Sequence, residues 1–352
     1  MLLAFLSSLV LSATLIHILR RTRVTQKLLD LPTVRGLHAV PLPRIGGIAL
    51  FASVLLLAAM WIERDLVASI AGLSVVLLIV SVFDDVKPLS AVLRLLVHTG
   101  AALLMVLLWV NAFGLQPTRT STALRWLMAP GGALMIVFAI VWMTNLYNFM
   151  DGADGLAGGM SAVGFGTFAT ALALQVTEVG SLGMLAATLS GASLGFLIFN
   201  FPPAKVFMGD AGAIPLGFLA AALGIHGNMF GYWPWWFAAL VFSPFIFDAS
   251  VTLLRRTLQG HKPWIAHRDH YYQRLILAGW SHRKTAAVYY MLMLACAVSS
   301  LGAARSPNAD AILLTWVLIY GVLLLLLEWR LRKNKNNKSK IMTVREHEDR
   351  IN

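Results

Sequence analysis

The chain has 352 residues, 58% of them hydrophobic and only 12% charged, with a formal charge of +12. An ordinary soluble domain carries about 25% charged residues, so that class is excluded. The lone cysteine, Cys296, excludes a disulfide framework and a cysteine-based metal site.

A membrane-spanning helix needs roughly 20 mostly apolar residues. Eleven stretches qualify, at about 2–19, 45–62, 66–83, 93–111, 131–147, 156–174, 182–200, 212–229, 235–254, 286–303 and 310–328. They predict an all-α, polytopic transmembrane helical bundle, with residues 1–330 as one integral-membrane domain. The first stretch lacks a basic leader and a small-residue cleavage site and reads as a retained span. Residues 331–352, containing KNKNNKSK, read as a basic, disordered tail.

Basic residues fall on alternate connections. Of the 28 Lys and Arg residues, only Arg64, Arg119, Arg125 and Arg305 lie on the poorer side. The positive-inside rule puts the rich side in the cytoplasm, the N-terminus in the periplasm and the C-terminus in the cytoplasm of a bacterial inner membrane. This alternation assigns the positive charge to membrane topology, anionic headgroups and phosphate ligands, and excludes nucleic acid as the partner.

Five polar clusters lie on that cytoplasmic side, where unpaired polar groups next to lipid are costly enough to imply function. The first runs from Arg35 and His38 through Pro43 and Arg44 to Gly46-Gly47, and reads as a phosphate-facing loop whose glycine N–H groups open a helix. The second is Phe83-Asp84-Asp85-Val86-Lys87, closing the third span. Its adjacent carboxylates repel each other and oppose the helix dipole, so they call for a cation. A prenyl-synthase DDxxD motif is excluded, because the third position is Pro88.

Asn145, Asn148 and Asp151, followed by Asp154, close the fifth span. Their threefold spacing keeps the first three on one helical side, and amide and carboxylate oxygens are hard ligands suited to Mg²⁺. The fourth cluster is Lys205-Val-Phe-Met-Gly209-Asp210-Ala-Gly212. Asp210 reads as either a helix cap or a ligand, and the glycines allow a phosphate to approach the backbone. The fifth, His267-Arg268-Asp269-His270-Tyr-Tyr-Gln273-Arg274, offers donors for a pyrophosphate or a sugar.

These clusters, in this order, resemble the polyprenyl-phosphate N-acetylhexosamine-1-phosphate transferase family (glycosyltransferase family 4). The resemblance runs from His38 to about Lys284, on Asp84-Asp85, NLYNFMDGADGLAG at 145–158, VFMGDAG at 206–212 and HRDHYYQRL at 267–275. NLYNFMDG with HRDHYYQR is closer to the branch that starts O-antigen than to the peptidoglycan branch. The chain departs from the family in placing Lys87 one residue sooner than the peptidoglycan pattern, and in Ala213 where many members carry a hydroxyl.

The resemblance implies transfer of a sugar 1-phosphate from a UDP-N-acetylhexosamine to undecaprenyl phosphate, with release of UMP. It implies Asn148 and Asp210 as ligands of Mg²⁺, for which Mn²⁺ can substitute. Asp84 and Asp85 would orient or deprotonate the polyprenyl phosphate, and Asp151 and Asp154 would shape the nucleotide pocket. His267, Arg268 and His270 would contact the sugar phosphate, with Arg35, His38, Lys87, Asn145 and Lys205 as further substrate-binding residues. It also implies a homodimer in membrane lipid.

A transporter of an anionic solute is the rival from another class. It calls for polar residues near mid-membrane on broken helices and for repeats of inverted topology. Here the polar residues sit at span ends. A CDP-alcohol phosphatidyltransferase fails as well, because no Arg and no later Asp follows Asp151-Gly152 at its motif spacing.

Overall fold

In hydrocarbon a backbone must satisfy its own hydrogen bonds, which an apolar run does by becoming a helix. The computed structural model follows this rule; it describes every residue except 33–36, 38–39, 64, 115–128, 176–179, 263–264, 266, 307 and 349–352. In chain order the helices are α1 (Leu2–Leu19), α2 (Val24–Lys27), α3 (Gly46–Trp61), α4 (Leu66–Val86), α5 (Ala91–Gly114), α6 (Gly132–Met150) and α7 (Leu156–Ala173). Then come α8 (Ser181–Asn200), α9 (Asp210–Met229), α10 (Phe237–Val241), α11 (Ser243–Leu258), α12 (Tyr271–Leu277), α13 (His282–Ala303) and α14 (Ala309–Glu348). One antiparallel hairpin, β1 (Leu29–Asp30) with β2 (Leu42–Pro43), pairs Leu29 with Pro43 and Asp30 with Leu42.

Among the described residues nine helices are long and apolar enough to cross a membrane, and the protein is a polytopic helical membrane protein. Two of the eleven predicted stretches differ from a full straight span. Helix α3 has 16 residues. The stretch at 235–254 is interrupted at Phe242 between α10 and α11, and Pro244, which has no N–H to donate, stands at the restart. The region read as a disordered tail is also different: α14 continues through it to Glu348, with no Gly or Pro after residue 330 to stop it.

Helix α9 is the axis of the bundle, 89% of its span being buried against 11% for α14. Its sequence, DAGAIPLGFLAAALGIHGNM, explains this through small residues that let neighbouring backbones approach. A Cβ on Gly217 would sit 2.6 Å from the Met143 carbonyl of α6, and one on Gly212 would sit 2.8 Å from the Gly47 Cα of α3. Helix α9 packs closely on α4 and α6, while α8 packs on α1, α3 and α7. Helices α4 and α9 run antiparallel, so the C-terminus of one meets the N-terminus of the other. Most of the polar clusters are gathered at that end.

Candidate active site

The two carboxylates that close α4 point in different directions. Asp85 turns to the first turn of α9, where its oxygens accept the N–H groups of Asp210 at 3.3 Å and Ala211 at 3.0 Å. The positive end of the α9 dipole therefore offsets the unfavourable C-terminal dipole of α4. Gly209, at φ +74°, makes this approach possible: a Cβ there would lie 2.9 Å from Asp85 Oδ2. Asp84 turns the other way, accepting from the Leu89 N–H at 2.6 Å and from Arg94 Nη1 at 3.1 Å.

Arg94 also lies 3.6 Å from Asp210, and Arg44 lies 3.6 Å from Asp85 while bonding Asp30. Asn148 donates to Asp210 Oδ2 at 3.3 Å, joining α6 to α9. Asp151 caps α6 nearby. Burial first, then the charges of Asp210 and Asp85, push its carboxyl well above the usual carboxylate range. Among the described residues Asp84, Asp85, Asp151 and Asp210 thus face two guanidinium groups, and one of these is shared with Asp30.

This donor set fits a magnesium ion chemically. Its oxygens are hard, its charge is in excess, and Mg²⁺ commonly uses one or two carboxylates together with waters and substrate phosphates. Among the described residues no group of three or more His, Cys, Asp or Glu forms a metal cage on its own.

Several glycine assignments are corrected. The Gly46 and Gly47 N–H groups are not free for phosphate, because they donate to the carbonyls of Phe207 and Met208 at 2.9 Å each. With Phe207 N–H on the Pro43 carbonyl, these bonds fasten the first cluster to the fourth. The α9 N-terminus is likewise taken by Asp85, and Gly212 packs on Gly47 and Met208.

Asp154 is placed apart from the carboxylate group. It accepts from the Ala204 N–H at 3.0 Å and lies 3.3 Å from His282 Nδ1, so it braces the 201–204 loop. Asn145 donates to the Val141 carbonyl at 2.7 Å. Lys87 and Lys205 are exposed and without an ion pair among the described residues. Arg35 and His38 lie outside the described residues.

The fifth cluster is brought to the third by a stack of rings. His267 and His270 have centroids 4.9 Å apart, and His270 stacks on Phe149 at 6.0 Å. The Tyr272 hydroxyl donates to the Phe149 carbonyl at 2.9 Å and passes where a Cβ on Gly152 would stand, at 2.2 Å. Burial, then the neighbouring His270 and Arg256 charges, lower His267 to about 4, so its ring is neutral at pH 7. Arg268 has no carboxylate partner among the described residues and is available to an anion.

Arg94, Asp248 and Glu328 escape sequence reading, and Arg44 is legible there only as part of a phosphate-facing loop. Arg44 and Arg94 supply the cations that the Asp pair requires. Asp248, 1% exposed, accepts the backbone N–H groups of Tyr271 at 2.7 Å and Tyr272 at 3.0 Å together with the Tyr289 hydroxyl, and so seats α12. Glu328 of α14 holds the same helix through Arg255, Arg274 and the Tyr271 hydroxyl. An ionisable residue inside the apolar stretch 235–254 is the one signal by which Asp248 could have been found.

Comparison with known proteins identifies the family. The model of the family described as glycosyl transferase family 4 matches residues 67–228, which carry Asp84, Asp85, Asn148, Asp151 and Asp210. A Bacillus subtilis (strain 168) protein named probable undecaprenyl-phosphate N-acetylglucosaminyl 1-phosphate transferase is 30% identical over 308 residues, 85% of this chain and 83% of its own. The Mycobacterium tuberculosis decaprenyl-phosphate N-acetylglucosaminephosphotransferase is 27% identical over 334 residues, 83% of this chain and 80% of its own. A Gloeothece citriformis phospho-N-acetylmuramoyl-pentapeptide-transferase is 32% identical over 221 residues, 58% of this chain and 57% of its own. With the carboxylate cluster inside the matched region and similarity over most of its length, the chain belongs to glycosyl transferase family 4.

Proposed function

We propose that the protein transfers N-acetylhexosamine 1-phosphate from a UDP-sugar to undecaprenyl phosphate at the cytoplasmic face of the inner membrane, releasing UMP and starting a surface polysaccharide such as O-antigen. The observation that carries this reading is the convergence of Asp84, Asp85, Asn148, Asp151 and Asp210 from three helices at one end of the bundle. A phosphate on a membrane-held prenyl tail reaches that level while its tail stays in lipid. UDP-N-acetylglucosamine is the first donor to test, because the Bacillus and Mycobacterium relatives carry N-acetylglucosamine in their names. UDP-linked FucNAc and QuiNAc follow.

The chemistry is set by charge. An oxygen of the lipid phosphate attacks the sugar-bearing phosphorus of the donor, the bond from that phosphorus to the bridging oxygen breaks, and UMP leaves with its electron pair. Both reactants are anions, so the site must first bring positive charge to them. Asn148 and Asp210 would hold a Mg²⁺ whose charge offsets that of the pyrophosphate. Arg94, shared between Asp84 and Asp210, and Arg268, which has no carboxylate partner among the described residues, add charge from the protein. Asp84 and Asp85 orient the acceptor. A phosphate monoester with a second pKa near ~6 is already largely ionised at neutral pH, so direct attack needs no strong base and no covalent aspartyl intermediate.

The test is UMP release by purified protein given undecaprenyl phosphate and a panel of UDP-sugars, with and without EDTA. Lipid-linked sugar pyrophosphate formed in step with UMP supports the proposal. Transport of a solute without UMP release overturns it.

A further inference from the structure

Helix α6 stops at Met150, and the chain turns away through Asp151 and Gly152. The last four carbonyls of a helix find no N–H within it. Phe149 supplies one of these, and no backbone N–H among the described residues reaches its oxygen. Its donor comes from another element. The Tyr272 hydroxyl of α12 lies 2.9 Å away, on a side chain with no exposed surface.

This bond joins two parts of the site. On α6, Asn148 precedes Phe149 and donates to Asp210 Oδ2 at 3.3 Å, while its own carbonyl accepts the Asp151 N–H at 3.2 Å. On α12, the Tyr272 N–H is held by Asp248 at 3.0 Å. The His270 ring lies between the other two, 6.0 Å from Phe149 and 5.9 Å from Tyr272, within 26° and 16° of parallel. Phe149, His270 and Tyr272 therefore form a closed circuit of two ring contacts and one hydrogen bond.

Gly152 is an independent sign that the circuit is built. Its φ is not positive, so backbone conformation does not demand a glycine there. Space does. A Cβ at this position would stand 2.2 Å from the Tyr272 hydroxyl oxygen, whereas the next atom, the ring carbon that bears it, is 3.3 Å away.

We propose that Tyr272 is a positioning residue that couples the donor loop to the metal-holding end of α6. Through its hydroxyl, the turn carrying Asn148 and Asp151 keeps its place only while α12 keeps its own, so cation retention and donor seating depend on each other. The proposal rests on the transferase reading above and assigns Tyr272 no contact with substrate.

The test measures Mn²⁺ binding to the full chain in detergent by electron paramagnetic resonance, without UDP-sugar or lipid, with Asp210→Asn as the background. Tyr272→Phe is expected to bind Mn²⁺ about fivefold more weakly than the wild type, the worth of one neutral hydrogen bond, and to raise the KM for UDP-sugar by a similar factor. Gly152→Ala, which displaces the hydroxyl, should match it. The double variant should be no weaker than either single one, because the two changes break the same bond. Tyr289→Phe also loosens α12 through Asp248 but leaves the bond to α6, so its Mn²⁺ affinity should stay within about twofold of the wild type. Where Tyr272→Phe does not fold, Gly152→Ala decides by the same criterion. Wild-type Mn²⁺ affinity in both single variants, an equal loss in Tyr289→Phe, additive losses in the double variant, or a wild type that binds no Mn²⁺ each overturns the proposal. UMP release separates the two readings: the expected Mn²⁺ pattern without UMP release supports the coupling and refutes the reaction, and UMP release without that pattern does the reverse.

Discussion

Asp248→Asn is the substitution with the most to reveal, because its effect reaches the site through a buried carboxylate that touches no substrate. One oxygen takes the Tyr271 N–H at 2.7 Å, and the other takes the Tyr272 N–H at 3.0 Å and the Tyr289 hydroxyl. Asparagine keeps one oxygen and turns an NH₂ toward two donors. Two charge-assisted bonds are lost, at about 1.5–3 kcal/mol each, so the expected cost is about 3–6 kcal/mol. In a chain of this size that lowers the unfolding midpoint on the order of 10 °C. Helix α12 then loses its seat, and with it the positions of His267, Arg268 and His270. The KM for UDP-sugar should rise well above that for polyprenyl phosphate. Tyr289→Phe, which removes a single bond, should reproduce less than half of both effects. The measurements are thermal unfolding followed by tryptophan fluorescence in detergent, and UMP release with each substrate varied in turn. Wild-type stability and wild-type KM in Asp248→Asn would refute the anchoring role.

Other outcomes follow from the same geometry. Asp210→Asn should abolish UMP release without loss of folded protein, and raised Mg²⁺ should partly restore Asn148→Ala but not Asp210→Asn, because a water can replace an amide oxygen but not a charge; rescue of Asp84→Asn alone by Mg²⁺ would show that the ligand pair is misassigned. Arg268→Ala should raise the KM for UDP-sugar about tenfold or more while leaving that for the lipid nearly unchanged, and equal changes in both would count against a donor-side contact. His267, lowered to about 4, makes a contribution to stability that is full above its unfolded value near 6.5 and is lost as pH falls toward 4. Between pH 7 and pH 5 the midpoint of the wild type should therefore fall more steeply than that of His267→Asn, and parallel profiles would contradict this. Gly47→Ala places a methyl group 2.3 Å from the Gly212 nitrogen and should destabilise by about 1–3 kcal/mol, whereas Gly72→Ala, with nothing within 4 Å, serves as the neutral control in the same thermal scan.

By itself the sequence determined the membrane class, the helical fold and the positions of the polar clusters. These follow from local properties: apolar runs of spanning length, and the expense of placing carboxylates and amides beside lipid. Span ends put Asp84, Asp85, Asn148, Asp151 and Asp210 on one side of the membrane, and the family resemblance joined them in one candidate site. Only the tertiary structure decided how these groups are shared out. Asp85 serves the α9 N-terminus while Asp84 serves Arg94, because antiparallel packing of α4 on α9 brings a negative helix end to a positive one. Gly46 and Gly47, legible as a phosphate loop, have their N–H groups occupied by Phe207 and Met208, residues some 160 positions away. Asp154, three residues from Asp151, serves a different loop because the chain turns at Gly152 and Gly155. Arg94 and Glu328 carry no local mark of their roles, Arg44 shows only as one basic residue of a loop, and Asp248 only as an ionisable residue inside an apolar stretch. Their partners come from other helices, and a pairing across helices depends on packing that no window of sequence contains.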